Sequence, residues 1–248
     1  MATISFYPDL QIVPIASIVL QEYVQKSRAQ KLAAIIKKEG VLRHPPIVTA
    51  SFNGSYLHLD GANRITAASL LGYLSCLVQV VDYSDAHQVH LTSWSHVTTM
   101  DKNRFLHAVK QLSCVMIQEK KAFDHRSLMK PNMLAEAVFC DGSAYELRCK
   151  TNFADYVKEI GQIVDLYADA QVERVFSESP WTPASIRVRF DRFPQHNIFL
   201  AFPTFSPQQV MTLVDRGVLM PAGLTRHVVY RRKLNINVPL SYLGIASM

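Results

Sequence analysis

The alternation of apolar and polar positions divides the first part of the chain into short strands and amphipathic helices. Residues 10–14 (LQIVP) predict a short strand. Apolar positions within residues 32–36 (LAAII) repeat at the spacing of one helix face. Ser27 fits the N-cap of that helix, and Gly40 fits its C-terminal stop.

A hairpin and a second helix complete this first block. Short apolar runs bounded by turn residues predict further strands at residues 47–50, 56–59 and 77–81. Asn53-Gly54 suits the tight turn of a hairpin between the first two of these strands. A helix is then predicted to begin after Asp60-Gly61 and to end at Gly72.

The remainder of the chain predicts a mixture of helices and strands. N-capping residues followed by apolar repeats predict helices at about residues 101–112, 152–168 and 206–217. Apolar runs predict strands at residues 114–118, 198–202, 228–230 and 236–240. Residues 186–190 (IRVRF) alternate apolar and basic positions, which predicts a half-exposed strand, and Asp141-Gly142 suits a hairpin turn.

A polar segment separates the two blocks. Residues 83–99 are rich in His, Ser, Asp and Thr, which is typical of a junction between domains. The chain has 248 residues, enough for one or two cores. We therefore expect an α+β protein with two domains, residues 1–92 and residues 93–248, of which the second is a mixed α/β domain.

Composition narrows the class of protein. Hydrophobic residues make up 49% of the chain and charged residues 19%, as in ordinary globular domains. No apolar run approaches the roughly 18 residues of a membrane helix. The N-terminus lacks the basic-then-apolar pattern of a secretory signal. The expectation is a soluble cytoplasmic protein with no membrane partner.

Cysteine spacing and net charge add two further expectations. The four cysteines at positions 76, 114, 140 and 149 show neither CxxC nor metal-site spacing, which predicts buried small residues and argues against a disulfide framework. The net charge of +6 attracts anions, among them nucleotides, phosphorylated metabolites and nucleic acid.

The strand-to-helix turn Asp60-Gly61-Ala62-Asn63-Arg64 is the strongest candidate for chemistry. A helix start presents unbonded backbone N–H groups and a partial positive charge, and phosphates bind well there. Gly61 allows a close approach, Arg64 can add a charged fork, and Asn63 can donate one more hydrogen bond. An ordinary capping Asp and turn Gly would give the same spacing, so the residues alone leave both interpretations open.

Several stretches of the chain resemble the ParB/sulfiredoxin fold, which has a DG-x-x-R signature at this turn. They are LRHPPIVTA at 42–50, YLHLDGANR at 56–64 and LLGY at 70–73. Within that fold the chain resembles the free L-serine kinases, most of all their siderophore-associated branch. The stretch MPAGLTRHVVYRRKLNINVPL at 220–240 resembles their Thr-Arg-His segment. The resemblance implies a ParB/sulfiredoxin-like first domain that binds nucleotide, and formation of O-phospho-L-serine.

Residues at the turn separate the activities found on this fold. Sulfiredoxins have Cys directly after the Gly, whereas this chain has Ala62. ParB proteins follow the domain with a helix-turn-helix, and we find no such pattern after residue 95. Serine kinases usually have His before the Arg, and here Asn63 can donate to a phosphate but carries no charge.

The resemblance also implies roles for two carboxylates. Glu22 aligns with the glutamate that is the catalytic base of the serine kinases, and such a group can accept the hydroxyl proton. Asp60 would orient the same hydroxyl or help to hold Mg²⁺. ATP and ADP both fit a phosphate-binding turn. On the residues alone, Glu22 is also compatible with an exposed position that has no catalytic role.

Binding residues follow from the same resemblance. The nucleotide would be held by Gly61, Ala62, Asn63, Arg64, Arg43 and His44. L-Serine, in a cleft between the domains, would be held by Trp94, Thr225, Arg226 and His227. A buried structural Trp and a surface strand are the plain alternatives for the last group.

Two other functions compete with the serine kinase. One is a ParB-like regulator that binds DNA or nucleotide, favoured by the basic charge and disfavoured by the missing helix-turn-helix. The other is a kinase for a different small hydroxyl compound, because fold alone does not fix the acceptor. The sequence assigns neither a pathway nor an oligomeric state.

Overall fold

The structure is a computed structural model that describes residues 9–51 and 54–244. Part of the hairpin turn predicted at Asn53-Gly54 therefore lies outside the described residues, although Ser51 N–H donates to the Ser55 carbonyl across it at 2.8 Å. The helices of the described part are Lys26–Glu39 (α1), Ala62–Leu70 (α2), Lys102–Lys110 (α3), Phe153–Asp165 (α4), Pro183–Arg192 (α5) and Pro207–Asp215 (α6). None of these helices combines the length and the apolar character that crossing a bilayer requires.

Fifteen strands are described. They are Asp9–Pro14 (β1), Ile18–Val19 (β2), Val41–Leu42 (β3), Ile47–Ala50 (β4), Tyr56–Asp60 (β5), Ser75–Val80 (β6), Val89–Ser93 (β7), Ser95–Thr98 (β8), Met116–Lys120 (β9), Met133–Phe139 (β10), Ala144–Arg148 (β11), Val172–Val175 (β12), Ile198–Ala201 (β13), Thr225–Val229 (β14) and Val238–Pro239 (β15).

The chain divides into two compact units. The first takes in the chain up to His90, Pro207–Ala222 and the segment from His227 onward, and the second is Leu91–Ser206 with Gly223–Arg226. The predicted boundary at residue 92 lies beside the first crossing. However, Pro207–Ala222 and the segment from His227 onward, which were predicted to belong to the second domain, belong to the first unit. The cause is long-range pairing, since Met220 N–H donates to the Gln21 carbonyl at 2.7 Å and β15 pairs with β3.

A five-stranded sheet forms the centre of the first unit. Its order is β1-β6-β4-β5-β2, with β4 parallel to β6 and antiparallel to β5. Helix α1 buries Ala29, Ala33 and Ile36, and its end at Gly40 has φ 70°. Its N-cap is Gln25, two residues before the predicted Ser27. This sheet carries β5 to the Asp60 turn, directly before α2.

An antiparallel six-stranded sheet organises the second unit, in the order β12-β8-β13-β10-β11-β9. Strand β10, which pairs with β13 and β11, is buried along its whole length. The hairpin predicted at Asp141-Gly142 joins β10 to β11, and Gly142 has φ 88° as the tight turn requires.

One predicted element is wrong. Residues 186–190, predicted as a strand, lie inside helix α5. Thr182 and Ser185 form a capping box at its start, with Pro183 in the first turn. Ile186 and Phe190 are four residues apart and both buried, so the apolar positions satisfy a helical face as well as an alternating one.

The cysteines also depart from expectation. Cys114 and Cys149 form a disulfide with their Cα atoms 5.4 Å apart. Pairing of Met116 with Arg148 across β9 and β11 brings the two cysteines together, which their sequence spacing does not reveal. Cys76 is buried as predicted, whereas Cys140 is exposed.

Candidate functional site

The Asp60 turn has the geometry of an anion-binding helix start. Gly61 adopts a left-handed conformation with φ 102°, and its carbonyl accepts from the N–H groups of Arg64 at 2.8 Å and Ile65 at 3.1 Å. The N–H groups of Ala62 and Asn63 thus begin α2 without an acceptor inside the helix. The φ of Gly61 favours glycine, and a Cβ there would lie 2.8 Å from the Arg64 guanidinium, which would have to shift.

Arg64 is largely engaged by the protein itself. Its Nη1 donates to the carbonyls of His44 at 2.9 Å and Pro45 at 2.8 Å, and its Nη2 donates to Asp60 Oδ2 at 2.6 Å. The side chain is only 16% exposed. Arg64 therefore fixes the loop before β4 to the turn, and part of its donor capacity remains for a phosphate.

Asp60 is held by a second arginine that the sequence analysis did not select. Asp60 Oδ2 also accepts from Arg232 Nη2. Burial alone would raise the pKa of Asp60, but the charges of Arg64 and Arg232 and the hydrogen bond from Arg232 outweigh it and hold the pKa below 3.8. Asp60 is thus ionised at neutral pH.

The predicted residues Arg43 and His44 lie in the loop before β4, which Arg64 contacts from the turn. The exposed Arg43 guanidinium forms two 2.7 Å hydrogen bonds with Glu39. His44 Nδ1 accepts from the N–H of Asn235 at 3.0 Å. Burial, and then the charge of Arg64, lower the pKa of His44. Neither side chain has a described contact with the Asp60 carboxylate.

A C-terminal loop wraps around this turn. Lys233 N–H donates to Gln79 Oε1 at 2.9 Å, and Ile236 N–H donates to the Arg43 carbonyl at 2.9 Å. Arg231 and Asn235, on either side of Lys233, both have φ 57°. The loop is therefore held in a specific conformation, which places Arg232 at Asp60.

Glu22 lies in a segment attached to the end of β5. It is half-buried and pairs with Met220 in a parallel bridge. Next to it, Gln21 Nε2 donates to the carbonyl of Leu59 at 3.2 Å. Leu59 directly precedes Asp60, so the first unit brings the segments of both predicted carboxylates together.

His227 faces the same end of β5. Its Nε2 lies 2.8 Å from the Tyr83 hydroxyl, and the ring also hydrogen-bonds to the Leu59 carbonyl. Burial lowers the pKa of His227 to about 4, although Asp60 and the Leu59 carbonyl act in the opposite direction. A neutral ring that donates to Leu59 accepts from Tyr83. The contacts described for His227 thus lie within the first unit.

Several buried polar atoms near the turn have no hydrogen-bond partner among the described residues. They are Gln21 Oε1, both ring nitrogens of His58, Asn63 Oδ1 and Arg232 Nε. His58 is fully buried, and burial lowers its pKa to about 3. Unsatisfied polar atoms at one place are the expected surroundings of a polar ligand or ordered water.

The residues at the turn fit a magnesium ion bound together with phosphates. No cluster of three or more His, Cys, Asp or Glu ligands occurs in the described ranges. Mg²⁺ bound with nucleotide needs only one or two carboxylates, because phosphates and water complete its shell. Asp60 Oδ1 receives no hydrogen bond from the described residues and could supply one such oxygen.

Of the other predicted residues, Arg226 and Trp94 form a cluster with Phe176 within the second unit. The Arg226 guanidinium lies 3.8 Å from the ring centre of Phe176 and 5.1 Å from that of Trp94. Burial lowers the pKa of Arg226. Thr225 is buried, and Trp94 and Phe176 meet edge to face at 5.6 Å. Phe176 carries no sequence motif that would have identified it.

His96 fixes the backbone that precedes Thr225. His96 Nε2 lies 3.0 Å from the Gly223 carbonyl, and Nδ1 lies 2.8 Å from the Tyr167 hydroxyl. A carbonyl only accepts, so Nε2 carries the proton and Nδ1 accepts from Tyr167. Gly223 has φ 74°, and the Arg174 side chain fills the space where a Cβ would lie. Burial lowers the pKa of His96 to about 4, which keeps this neutral form at pH 7.

Comparison with known proteins gives one relative in sequence and several in structure. No family model matches the chain. The chain is 26% identical over 244 residues to the ATP-dependent L-serine kinase SbnI of Staphylococcus aureus (strain NCTC 8325 / PS 47), covering 96% of this chain and 85% of that protein. A C-terminally truncated SbnI structure has a TM-score of 0.72 at 22% identity, over 96% of this chain and 90% of that one.

A free serine kinase in complex with AMP, with one glutamate replaced by glutamine, has a TM-score of 0.79 at 15% identity. The match covers 96% of this chain and 95% of that one. The mixed α+β class expected from the sequence is confirmed by these matches. The chain is a homologue of the ATP-dependent L-serine kinase SbnI and has the fold of the free serine kinases.

Proposed function

We propose that this protein is an ATP-dependent kinase that phosphorylates free L-serine to O-phospho-L-serine. The observation that carries the proposal is the first unit's anion-binding helix start, with Asp60 at its edge and the Glu22 segment attached beside it. The homology to an ATP-dependent L-serine kinase over 96% of this chain supports both the donor and the acceptor. ATP is chosen over ADP on the same ground, and a cytoplasmic location fits an enzyme that uses this nucleotide.

The first unit would bind the nucleotide phosphates. The N–H groups of Ala62 and Asn63 point from the first turn of α2, where the helix dipole favours negative charge. Gly61 lets a phosphate approach the backbone closely, and Asn63 can donate through its side-chain amide. Arg64 would contribute the donors that the protein leaves uncommitted, and His44 and Arg43 border the same loop.

Glu22 and Asp60 would carry out the proton chemistry and the positioning. The serine Oγ attacks the terminal phosphorus, the bond from that phosphorus to the ADP oxygen breaks, and the hydroxyl proton passes to the Glu22 carboxylate. Asp60, kept ionised by its two arginines, would orient the hydroxyl. Mg²⁺ held by Asp60 and the phosphates would offset the charge of the transferred group.

Residues of the second unit would recognise the amino-acid end of serine. Arg226 is held by Phe176 and Trp94, so its guanidinium edge is pre-oriented for a carboxylate. Thr225 adds a hydroxyl donor. We propose for His227 a positioning role at the end of β5 rather than direct contact with serine, because its described hydrogen bonds are to Tyr83 and Leu59.

Replacement of Glu22 tests the catalytic assignment. Glu22→Gln should lower kcat by about 100-fold or more, because a general base contributes about 10²–10⁴-fold to rate. ADP affinity should change little, since the substitution leaves the turn intact. The assay is steady-state phosphoserine formation with Mg²⁺, tested with ATP and ADP as donors and with a panel of amino-acid and hydroxyl acceptors.

Glu119→Gln is the matched control, because Glu119 is exposed on β9 in the second unit. It should retain wild-type kcat. Equal activity of the Glu22 and Glu119 variants would remove Glu22 from the mechanism. Phosphorylation of another acceptor in preference to serine would replace the proposed substrate.

A further inference from the structure

We infer that Arg232 is a phosphate ligand of the nucleotide, supplied by the C-terminal loop to the Asp60 turn. The inference rests on the proposed function and assigns a residue that no motif marks. In the sequence, Arg232 is one member of the basic run Arg231-Arg232-Lys233. In the structure it contacts Asp60, 172 residues away in the chain.

A count of hydrogen-bond donors distinguishes Arg232 from Arg64. A guanidinium carries five N–H donors. Arg64 uses three of them on the His44 and Pro45 carbonyls and on Asp60. Arg232 meets one described acceptor, Asp60 Oδ2, and its Nε is buried without a described partner. Arg232 therefore has more unused donors than the arginine of the DG-x-x-R signature.

Accessibility leads to the same assignment. The Arg232 side chain is 31% exposed, against 16% for Arg64. Its backbone is nevertheless fixed, because Lys233 N–H donates to Gln79 Oε1 and Gln79 Nε2 donates to the Arg231 carbonyl. An arginine on a fixed backbone with an accessible fork is well suited to bind an anion.

The charge at the turn also supports the assignment of this residue. Asp60 carries one negative charge and contacts two guanidinium groups, which leaves a surplus of one positive charge. Asn63, directly before Arg64, adds none. Without Arg232 the carboxylate would cancel the charge of Arg64, and the turn itself would attract a polyphosphate through the helix dipole without a surplus positive charge. Arg232 thus gives the turn its net attraction for phosphate.

Calorimetric titration with ADP tests this inference without requiring catalysis. Arg232→Gln should raise the Kd for ADP about tenfold, the effect expected from the loss of one charge-assisted hydrogen bond. Arg232→Lys should recover part of that loss, because it restores the charge without the fork. With active enzyme, the KM for ATP should rise similarly while the KM for serine stays within about twofold.

Lys233→Gln is the matched control, since it removes one positive charge from the neighbouring position without removing a described contact to Asp60. It should leave ADP affinity within about twofold, apart from a weak effect at low salt. Melting temperatures of all three variants separate binding from folding. If Arg232→Gln does not fold, Arg232→Lys still tests the role of the planar guanidinium, because the loss of its paired donors alone should raise the Kd for ADP by a smaller factor.

Two results with the Arg232→Gln variant would overturn the inference. One is an unchanged ADP affinity in Arg232→Gln. The other is equal weakening of ADP and adenosine, which would show that Arg232 only supports the loop. If the wild-type protein binds ADP through Arg232 but forms no phosphoserine, the proposed function fails and the inference stands. If it does not bind ADP, both fail.

Discussion

Gly61 shows how one residue sets the geometry of the turn. A side chain there would be strained at φ 102° and would meet the Arg64 guanidinium at 2.8 Å. Gly61→Ala should therefore destabilise the protein by about 1–3 kcal/mol. It should also weaken ADP binding several-fold, because Arg64 must move. Urea unfolding and calorimetry measure the two effects.

Gly72→Ala is the control that separates backbone strain from the steric contact with Arg64. Gly72 has a similar φ of 80° in the same unit, but no atom lies within 4 Å of its added Cβ. Its substitution should cost stability while leaving ADP affinity unchanged. Equal loss of ADP affinity in both variants would show that general destabilisation, and not the Arg64 contact, controls binding.

Three histidines make stability depend on pH. Burial lowers the pKa of His58 to about 3 and that of His96 and His227 to about 4, each from an ordinary value of 6.5. Between these lowered pKa values and 6.5, the unfolded chain therefore binds more protons than the folded one. The stability that these rings contribute is complete above pH 6.5 and is lost as pH falls toward 4.

The slope of stability against pH gives the measurement. Near pH 5, each ring should add about 1.4 kcal/mol of destabilisation for every pH unit lost. Urea unfolding at pH 7, 6 and 5 should show a steep decline in the free energy of unfolding as pH falls. In His58→Leu this decline should be smaller by the contribution of one proton, about 1.4 kcal/mol per pH unit near pH 5. An identical slope in this variant would contradict the assignment of a buried neutral His58.

The residue scale also separates what the sequence could predict from what it could not. The Asp60-to-Arg64 turn follows from local spacing and from the resemblance. Arg232 and Phe176 do not, because their partners are distant in the chain and neither has a local pattern. The basic run around Arg232 was visible, but its position at Asp60 depends on tertiary pairing.

At the scale of elements, the segment that leads into β14 is held in place by two hydrogen bonds, one from Tyr167 to His96 and one from His96 to the Gly223 carbonyl. Tyr167→Phe would leave His96 Nδ1 without its donor and loosen the support of the Gly223 carbonyl. We expect the KM for serine to rise about threefold to tenfold, the effect of one neutral hydrogen bond. The KM for ATP should change less than twofold.

Tyr156→Phe provides the control, because it removes a second tyrosine hydroxyl of the same unit, a part-buried one that donates to the Met133 carbonyl. Similar losses of melting temperature in the two variants, with a raised KM for serine only in Tyr167→Phe, would support the positioning role. A raised KM in both would assign the effect to stability.

Helix α5 illustrates why local patterns can be misread. The run IRVRF alternates as a strand does, yet Ile186 and Phe190 also share a helical face. The stronger signal lay upstream, in Thr182-Pro183 followed by Ser185, which caps a helix. The disulfide between Cys114 and Cys149 had no comparable signal, since strand pairing alone brings the two together.

At the scale of the whole molecule, the sequence predicted the α+β class, but no local pattern indicated that the C-terminal chain returns to the first unit. That return depends on single long-range pairings, such as Glu22 with Met220 and β15 with β3, which leave no periodic pattern. It also completes the turn, because it delivers both Arg232 and His227 to the first unit.

Phosphorus NMR of the wild-type protein with Mg²⁺, ATP and L-serine is the decisive test of the proposed kinase activity. We expect a growing phosphoserine signal matched one-for-one by ADP, and neither product when serine is omitted. Consumption of ATP without phosphoserine, or no consumption where SbnI is active in the same buffer, would contradict it.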